Sequence, residues 1–232
     1  MPHIPHTENH FRSSEMVTDI VIGMSDGLTV PFALAAGLSG AGIGTHTVIT
    51  AGFAEIVAGS IAMGLGGYLA GKTEIDHYNS EHAREVWEVD NLPEKEKEEV
   101  REIFADMGMS EATQHLIVEE MSKDKAKWVD FMMRYELGLE KPDVRRARNS
   151  AFNIGVSYIV GGLVPLTPYF FTDTPLEGLK YSAVITVLCL LVFGYFKAKV
   201  TGQNPWAGAV RVAIIGSVAA AAAFLIAGLF NK

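Results

Sequence analysis

With one cysteine, Cys189, in 232 residues, the chain can build neither a disulfide framework nor a thiolate metal site by itself. Cys189 lies in an apolar run and reads as a small buried hydrophobe. Also missing are a phosphate-cradling glycine loop, a nucleophile elbow, zinc-type Cys/His spacing and a basic stripe that could follow nucleic acid. No prosthetic group and no nucleic-acid partner are therefore expected. A single Glu-x-x-His element occurs, Glu74-Ile75-Asp76-His77, where a di-iron bundle needs two, which argues against a ferroxidase. The N-terminal MPHIPHTENHFRSSE has no apolar stretch beside basic residues and no small-residue cleavage site, so it does not read as a signal peptide. Its His3, His6 and His10 could bind metal, but a solvated tail is the commoner explanation of such a segment.

What the chain does have is segregation. Hydrophobic residues make up 49% and mean hydropathy is +0.20, yet 20% of residues are charged. The stretch from Thr73 to Arg148 holds 20 acidic and 12 basic residues, a net charge of −8 that equals that of the whole chain. The remainder is neutral, rich in Gly and Ala, and made of long apolar runs. The order is apolar, charged, apolar, which divides the chain into a tail (1–15), a first membrane part (16–72), an acidic insert (73–148) and a second membrane part (149–232).

A spanning helix needs about 20 mostly apolar residues, and five stretches qualify: Met16 to Leu38, His46 to Gly71, Ala151 to Phe170, Leu176 to Phe196 and Trp206 to Phe230. Lys72, Arg145, Arg146, Arg148, Lys197, Lys199 and Arg211 fall on one side of these spans, against Lys180 and Lys232 on the other. The positive-inside rule then places the N-terminus and the insert in the cytosol and the C-terminus on the far side. The insert itself reads as helices. Lys72 to Val89 continues the second span, Pro93 opens a helix that Gly108 stops, Ser110 caps one through Met121, and Asp124 caps one carrying Trp128, Phe131, Met132 and Tyr135. The fold class predicted is all-α, with five spans and a helical domain between the second and third.

Ionisable groups inside spans carry the sharpest signal, because a charge at mid-bilayer costs a few kcal/mol and persists only on a polar path. Glu15, Asp19 and Asp26 return to one stripe of the first span, about 16 Å long from Glu15 to Asp26. Glu15 and Asp19 also fit the headgroup zone; Asp26 is too deep for that. The second span adds Glu55 and Met63, two turns apart. A carboxylate with a thioether suits a borderline metal such as Fe²⁺ or Mn²⁺ better than Ca²⁺ or Mg²⁺. Small residues at Gly59, Ser60, Gly64, Gly67 and Gly71 admit another backbone, from this chain or from a second copy. Pro31, Asn149, Asn153 and Tyr158 fit either a kink with polar lining or simple packing.

In the insert, Glu81, Glu85 and Glu88 share one helical face, Glu96 and Glu99 follow on the next helix, and Met132 and Met133 precede Glu136 by four and three residues. A face of like charges is either solvated or binds cations. Alone it is more often solvated; beside a stripe of membrane carboxylates, metal collection becomes the better reading.

The segments DIVIGMSDGLTVPFALAAGLSGA, FAEIVAGSIAMGLGGYLAGKTE and RNSAFNIGVSYIVGGLVPL, with the acidic helical insert before the last, resemble the vacuolar iron transporter family and its plant members. The likeness covers nearly all the chain after residue 15. It implies five membrane helices, a homodimer with the path at its interface, residence in the vacuolar membrane, and Fe²⁺ entering the vacuole against protons. Carried over by motif, Asp26 and Met63 correspond to transport-site ligands, with Glu15, Asp19 and Glu55 along the path. Glu85, Glu88, Glu96, Glu99, Met132, Met133 and Glu136 correspond to ligands of a cytosolic metal-binding domain, where Zn²⁺, Co²⁺, Ni²⁺ or Mn²⁺ would also fit. The expected partners are divalent metals, protons, membrane lipid and a second copy of the chain. The rival reading is a membrane-anchored metal sensor or buffer through which nothing passes.

Overall fold

The computed structural model describes residues 15–230. The histidines of the tail and Lys232 lie outside the described residues. Among these, every regular element is helical: α1 (Glu15–Gly40), α2 (Thr45–Asn91), α3 (Pro93–Asp106), α4 (Glu111–Met121), α5 (Lys125–Tyr135), α6 (Arg146–Leu166) with a 3₁₀ turn (Thr167–Phe171), α7 (Pro175–Val200) and α8 (Pro205–Phe230). Five of these are long and apolar enough to cross a membrane: α1, α2, α6 with its 3₁₀ turn, α7 and α8. They contain the five stretches picked out by hydropathy. α2 is one unbroken helix of 47 residues, about 70 Å at 1.5 Å per residue, against about 30 Å of bilayer hydrocarbon. Only His46 to Gly71 is apolar enough to be the span; the polar remainder lies outside it.

The chain forms two compact units, one comprising the residues up to Tyr68 with those from Arg148 onward, the other Leu69–Ala147. In the first, α1 packs on α7 and α8, and α7 on α8. Three small clusters form its core, around Val48, Ile56 and Leu166, around Leu28 and Leu190, and around Phe32 and Ala220. Large apolar side chains point outward: Ile61, Val184, Val218 and Leu225 are each more than 60% exposed. A water-soluble bundle of this size would have to cover such surfaces, whereas lipid covers them at no cost.

The contact of α1 with α6 is made by main chain. A Cβ on Gly27 would lie 2.9 Å from Cα and 3.0 Å from the carbonyl carbon of Tyr158; one on Gly161 would lie 3.0 Å from the Leu28 nitrogen. On α2, Gly64 meets the Ala151 carbonyl and Gly67 meets Ser150 and Ile154. The small-residue face that the sequence left open between this chain and a second copy is thus occupied in its membrane part by α6 of the same chain. Where Pro31 interrupts α1 it removes the donor for the Gly27 carbonyl. Where Pro165 sits near the end of α6, its own carbonyl accepts from Ser182 Oγ at 2.7 Å. Ser39 Oγ donates to the Ala35 carbonyl at 2.7 Å and lies 3.0 Å from the buried Tyr169 hydroxyl, tying the end of α1 to the 3₁₀ turn.

The second unit has one core, made by Tyr78, Val89, Val100, Val118, Trp128, Val129, Met132 and Met133. Phe131 stacks between Phe104 and Tyr135, with centroids 5.3 and 4.7 Å away. Gly108 ends α3 with φ +82°, a conformation that favours glycine. Asp124 caps α5 as expected, accepting from the Lys127 amide at 3.3 Å. Ser110 occupies the N-cap position of α4, but its hydroxyl pairs with Thr113 Oγ1 at 2.9 Å rather than with a backbone amide.

Because the α1–α6 contact is backbone against backbone, it cannot relax around an added side chain. Gly27→Val is expected to cost about 1–3 kcal/mol through overpacking. A thermal-shift measurement in detergent should show a loss of several degrees, while Gly44→Ala, at a glycine with open space around its Cβ position, leaves the midpoint unchanged.

Candidate metal sites

Each unit holds a set of carboxylates that includes buried members. In the membrane unit, Asp19 is 2% exposed. It accepts from Ser150 Oγ at 2.9 Å and Asn153 Nδ2 at 3.4 Å, both on α6. Asn153 was legible as a polar group in a span, whereas Ser150 gave no signal, since a serine near the start of an apolar helix is ordinary. One turn beyond, Gly23 and Gly27 bring α1 against α6 and leave Asp26 half-buried between them and within electrostatic reach of Tyr158. Glu55 of α2 receives a hydrogen bond from the Tyr158 hydroxyl through Oε1, and its Oε2 is buried with no hydrogen-bond partner among the described residues. Met63 is half-buried two turns further along α2, and Glu15 is exposed at the first residue of α1. α6 therefore contacts two of the five predicted path residues, Asp19 and Glu55, and its Tyr158 lies within electrostatic reach of a third, Asp26. Asn149 is exposed.

In the second unit, Glu85 on α2, Glu96 on α3 and Glu136 at the end of α5 each offer a carboxylate oxygen, and these oxygens lie within 4.8 Å of one another. Oxygens that share a cation at about 2.1–2.5 Å stand about 3–5 Å apart, so the trio fits one divalent ion with little movement. Glu85 and Glu96 are 1% and 0% exposed. Glu85 Oε1 and both Glu96 oxygens find no hydrogen-bond partner among the described residues. Burial, and after it the neighbouring carboxylates, raise both groups above the ordinary value of 4.5. Burial raises Glu136 as well, helped by the charges of Glu99 and Glu88. Natural cores do not leave charged oxygens unsatisfied without a reason, and a cation is the simplest one.

Of the other predicted ligands, Glu88 and Glu99 are close enough to the trio to influence its charge. Met132 and Met133, 0% and 1% exposed, belong to the core to which Val89 and Val100 contribute from the helices of Glu85 and Glu96. Glu88 and Glu99 are half-buried and already face cations: Glu99 pairs with Lys95 at 2.7 Å, and Glu88 lies 3.9 Å from Arg84. Glu81 takes the closer contact with Arg84, at 2.8 Å. Glu74 and His77 are exposed, in keeping with their dismissal as half of a di-iron centre. An open cavity of about 1070 Å³ lies elsewhere in the unit, lined by Tyr78, His82, Asp130, Arg134 and Lys141 among others. It mixes charges of both signs, shares only Met133 with the predicted ligands, and includes none of the three clustered carboxylates.

The arrangement in the membrane unit and the acidic trio can be set beside known proteins. The model of the VIT family matches residues 17–228. The chain belongs to the VIT family. It is 50% identical over 222 residues to vacuolar iron transporter 1 of Tulipa gesneriana, covering 96% of this chain and 90% of the relative. Against vacuolar iron transporter 1 of Arabidopsis thaliana the identity is 51% over 222 residues, covering 96% and 89%. Similarity extends to Protein CCC1 of Saccharomyces cerevisiae, 41% identical over 226 residues, covering 93% of this chain and 69% of the relative. The VIT match spans both units, so the acidic domain lies within the family region rather than being appended to it.

The raised carboxylates fix the sign of a pH dependence. A folded-state value above 4.5 means that the native protein holds protons the unfolded chain would release, so the metal-free domain loses stability as pH rises through the raised values. A cation must displace those protons, and its affinity rises with pH. Calorimetry with Co²⁺ in buffers of different ionisation enthalpy should detect about one to two protons released per ion at about pH 6.5. The thermal stabilisation by Co²⁺ should be larger at about pH 8 than at about pH 5.5, and Glu96→Gln should abolish most of it.

Proposed function

We propose that this protein carries Fe²⁺ from the cytosol into the vacuole in exchange for protons, as an antiporter without enzymatic activity, and that its acidic domain collects the metal on the cytosolic side. The observation that carries the reading is Glu55: a carboxylate inside a spanning helix, with one oxygen held by Tyr158 and the other buried without a partner. Such a group is stable in a bilayer only if a proton or a cation occupies it for most of the time. Those are the two species an antiporter exchanges. The names of the relatives supply the metal and the membrane, since two of those compared are called vacuolar iron transporters.

In this mechanism Asp26, Glu55 and Met63 form the exchange site, and Glu15 and Asp19 lead to it. A carboxylate that binds metal must first lose its proton, so Fe²⁺ and H⁺ compete for the same oxygens as the site faces each side in turn. Each pH unit across the membrane contributes about 1.4 kcal/mol per proton, so an acidic lumen releases the metal by mass action. Methionine sulfur disfavours Mg²⁺ and Ca²⁺, while Mn²⁺, Co²⁺, Ni²⁺ and Zn²⁺ fit the same ligand types at the acidic domain. Glu85, Glu96 and Glu136 hold the ion there, with Glu88, Glu99, Met132 and Met133 completing the set.

The working unit in this reading is a homodimer. In a single chain Asp26, Glu55 and Met63 are only half-buried, and lipid would solvate none of their polar atoms. A second copy would enclose them. The exposed face of α2 offers Ala54, Ala58, Ala62 and Gly66 at four-residue spacing, small enough for two helices to approach closely. The N-terminus and the domain spanning residues 73–148 then lie in the cytosol and the C-terminus in the lumen.

The test is Fe²⁺ flux into sealed proteoliposomes with and without an acidic interior. Parent protein should load Fe²⁺ only when the gradient is imposed, and Asp26→Ala should fall at least about tenfold. Uptake by Asp26→Ala equal to that of the parent would remove the exchange site from this residue, and binding of Fe²⁺ without flux in the parent would favour the sensor reading.

A further inference from the structure

Tyr158 is 2% exposed and is held between two facing residues that lack side chains. On the α1 side its main chain rests on Gly27. On the α2 side its ring tip rests on Gly59, where a Cβ would stand 2.5 Å from both Cζ and the hydroxyl oxygen. A phenylalanine would fill that slot equally well. The hydroxyl is therefore the part of the side chain that packing does not explain, and a buried hydroxyl is costly unless bonded. The acceptor it reaches is Glu55 Oε1. The other oxygen of Glu55 is buried and unbonded, so the phenol occupies one side of the carboxylate and leaves the opposite side free.

We propose that Tyr158 is the positioning residue for Glu55, holding one carboxylate oxygen so that the other is presented to the cation in a fixed direction. The inference rests on the reading of Glu55 as an exchange-site group. A carboxylate restrained in this way binds a metal through one oxygen, and no orientational freedom is lost when the ion arrives. Tyr158 itself touches neither metal nor proton in transit. Gly59 belongs to the same device, because any side chain there displaces the ring from Glu55. In sequence terms, the tyrosine of NIGVSYIVGG and the glycine of EIVAGS form one functional pair across two helices.

Three variants decide the matter in the full-length protein in proteoliposomes: Tyr158→Phe, Gly59→Ala and Glu55→Gln. Tyr158→Phe should raise the KM for Fe²⁺ about fivefold to tenfold while maximal flux stays within about twofold, since the bond lost is one to a charged group. Gly59→Ala should reproduce that change, and the double variant should be no worse than the more impaired single one. In difference infrared spectra of the metal-free protein, the carboxylate band that Glu55→Gln removes should shift in Tyr158→Phe. A role confined to packing would leave that band and the KM unmoved. If Glu55→Gln impairs flux but Tyr158→Phe matches the parent in KM and in the band, the positioning role is overturned and the exchange-site reading stands. If Glu55→Gln itself transports normally, Glu55 is not in the exchange site and the inference falls with it.

Discussion

A carboxylate removed from water must find a donor, a proton or a cation, and the protein meets that requirement to different degrees at different places. Asp19 is fully supplied, with a serine and an asparagine of α6 turned toward its two oxygens. Glu55 is half supplied, and Glu85 and Glu96, the two buried members of the acidic trio, are scarcely supplied at all. The degree of satisfaction sorts structure from function. A carboxylate whose oxygens are both bonded can join two helices permanently, whereas one left short has an affinity to offer. On this scale Asp19 also braces α1 against α6, and the unfilled hydrogen-bonding capacity lies at Glu55, Glu85 and Glu96.

α6 is the element on which the membrane unit depends. It contributes Ser150, Asn153 and Tyr158 to the acidic residues of α1 and α2, and its main chain lies against Gly27. In a bilayer the hydrophobic effect does not drive apolar helices together, so closeness of approach and polar bonds between helices carry the association. The polar bonds to the acidic residues are concentrated on α6, while close main-chain approach occurs there and also between α7 and α8 at Gly194 and Gly208. α7 and α8 present much of their surface outward. The second unit works differently. It has an aqueous-type core around Trp128 and Phe131, which brings three acidic groups from three separate helices to one point despite their repulsion.

How far the sequence revealed this follows from the range of each interaction. Hydropathy sums over about 20 residues, and it located all five long apolar helices. Turn chemistry acts over three or four residues, and Pro93, Gly108 and Asp124 mark helix ends where expected. Ser110 shows the limit, because its hydroxyl had a nearby threonine as well as a backbone amide to choose from. Helical periodicity placed Glu85 and Glu88 on one face but could not tell that Glu85 turns into the core while Glu88 meets Arg84. The small-residue face of α2 was visible as an interface, yet which backbone fills it depends on how the chain returns through α6. The bond from Tyr158 to Glu55 joins residues 103 apart in sequence, and nothing local to either one encodes it.

The seam between α1 and α6 has a mechanical consequence. Main chain resting on main chain, as at Gly27 and Gly161, has no rotamers to absorb displacement, so this seam is stiff. The α2–α6 joint mixes both kinds of contact: Gly64 lies against the Ala151 carbonyl, whereas at Gly52 the flexible side chain of Leu166 fills the space. What play α2 has against α6 is therefore greatest at its Gly52 end and least at Gly64, where backbone again abuts backbone.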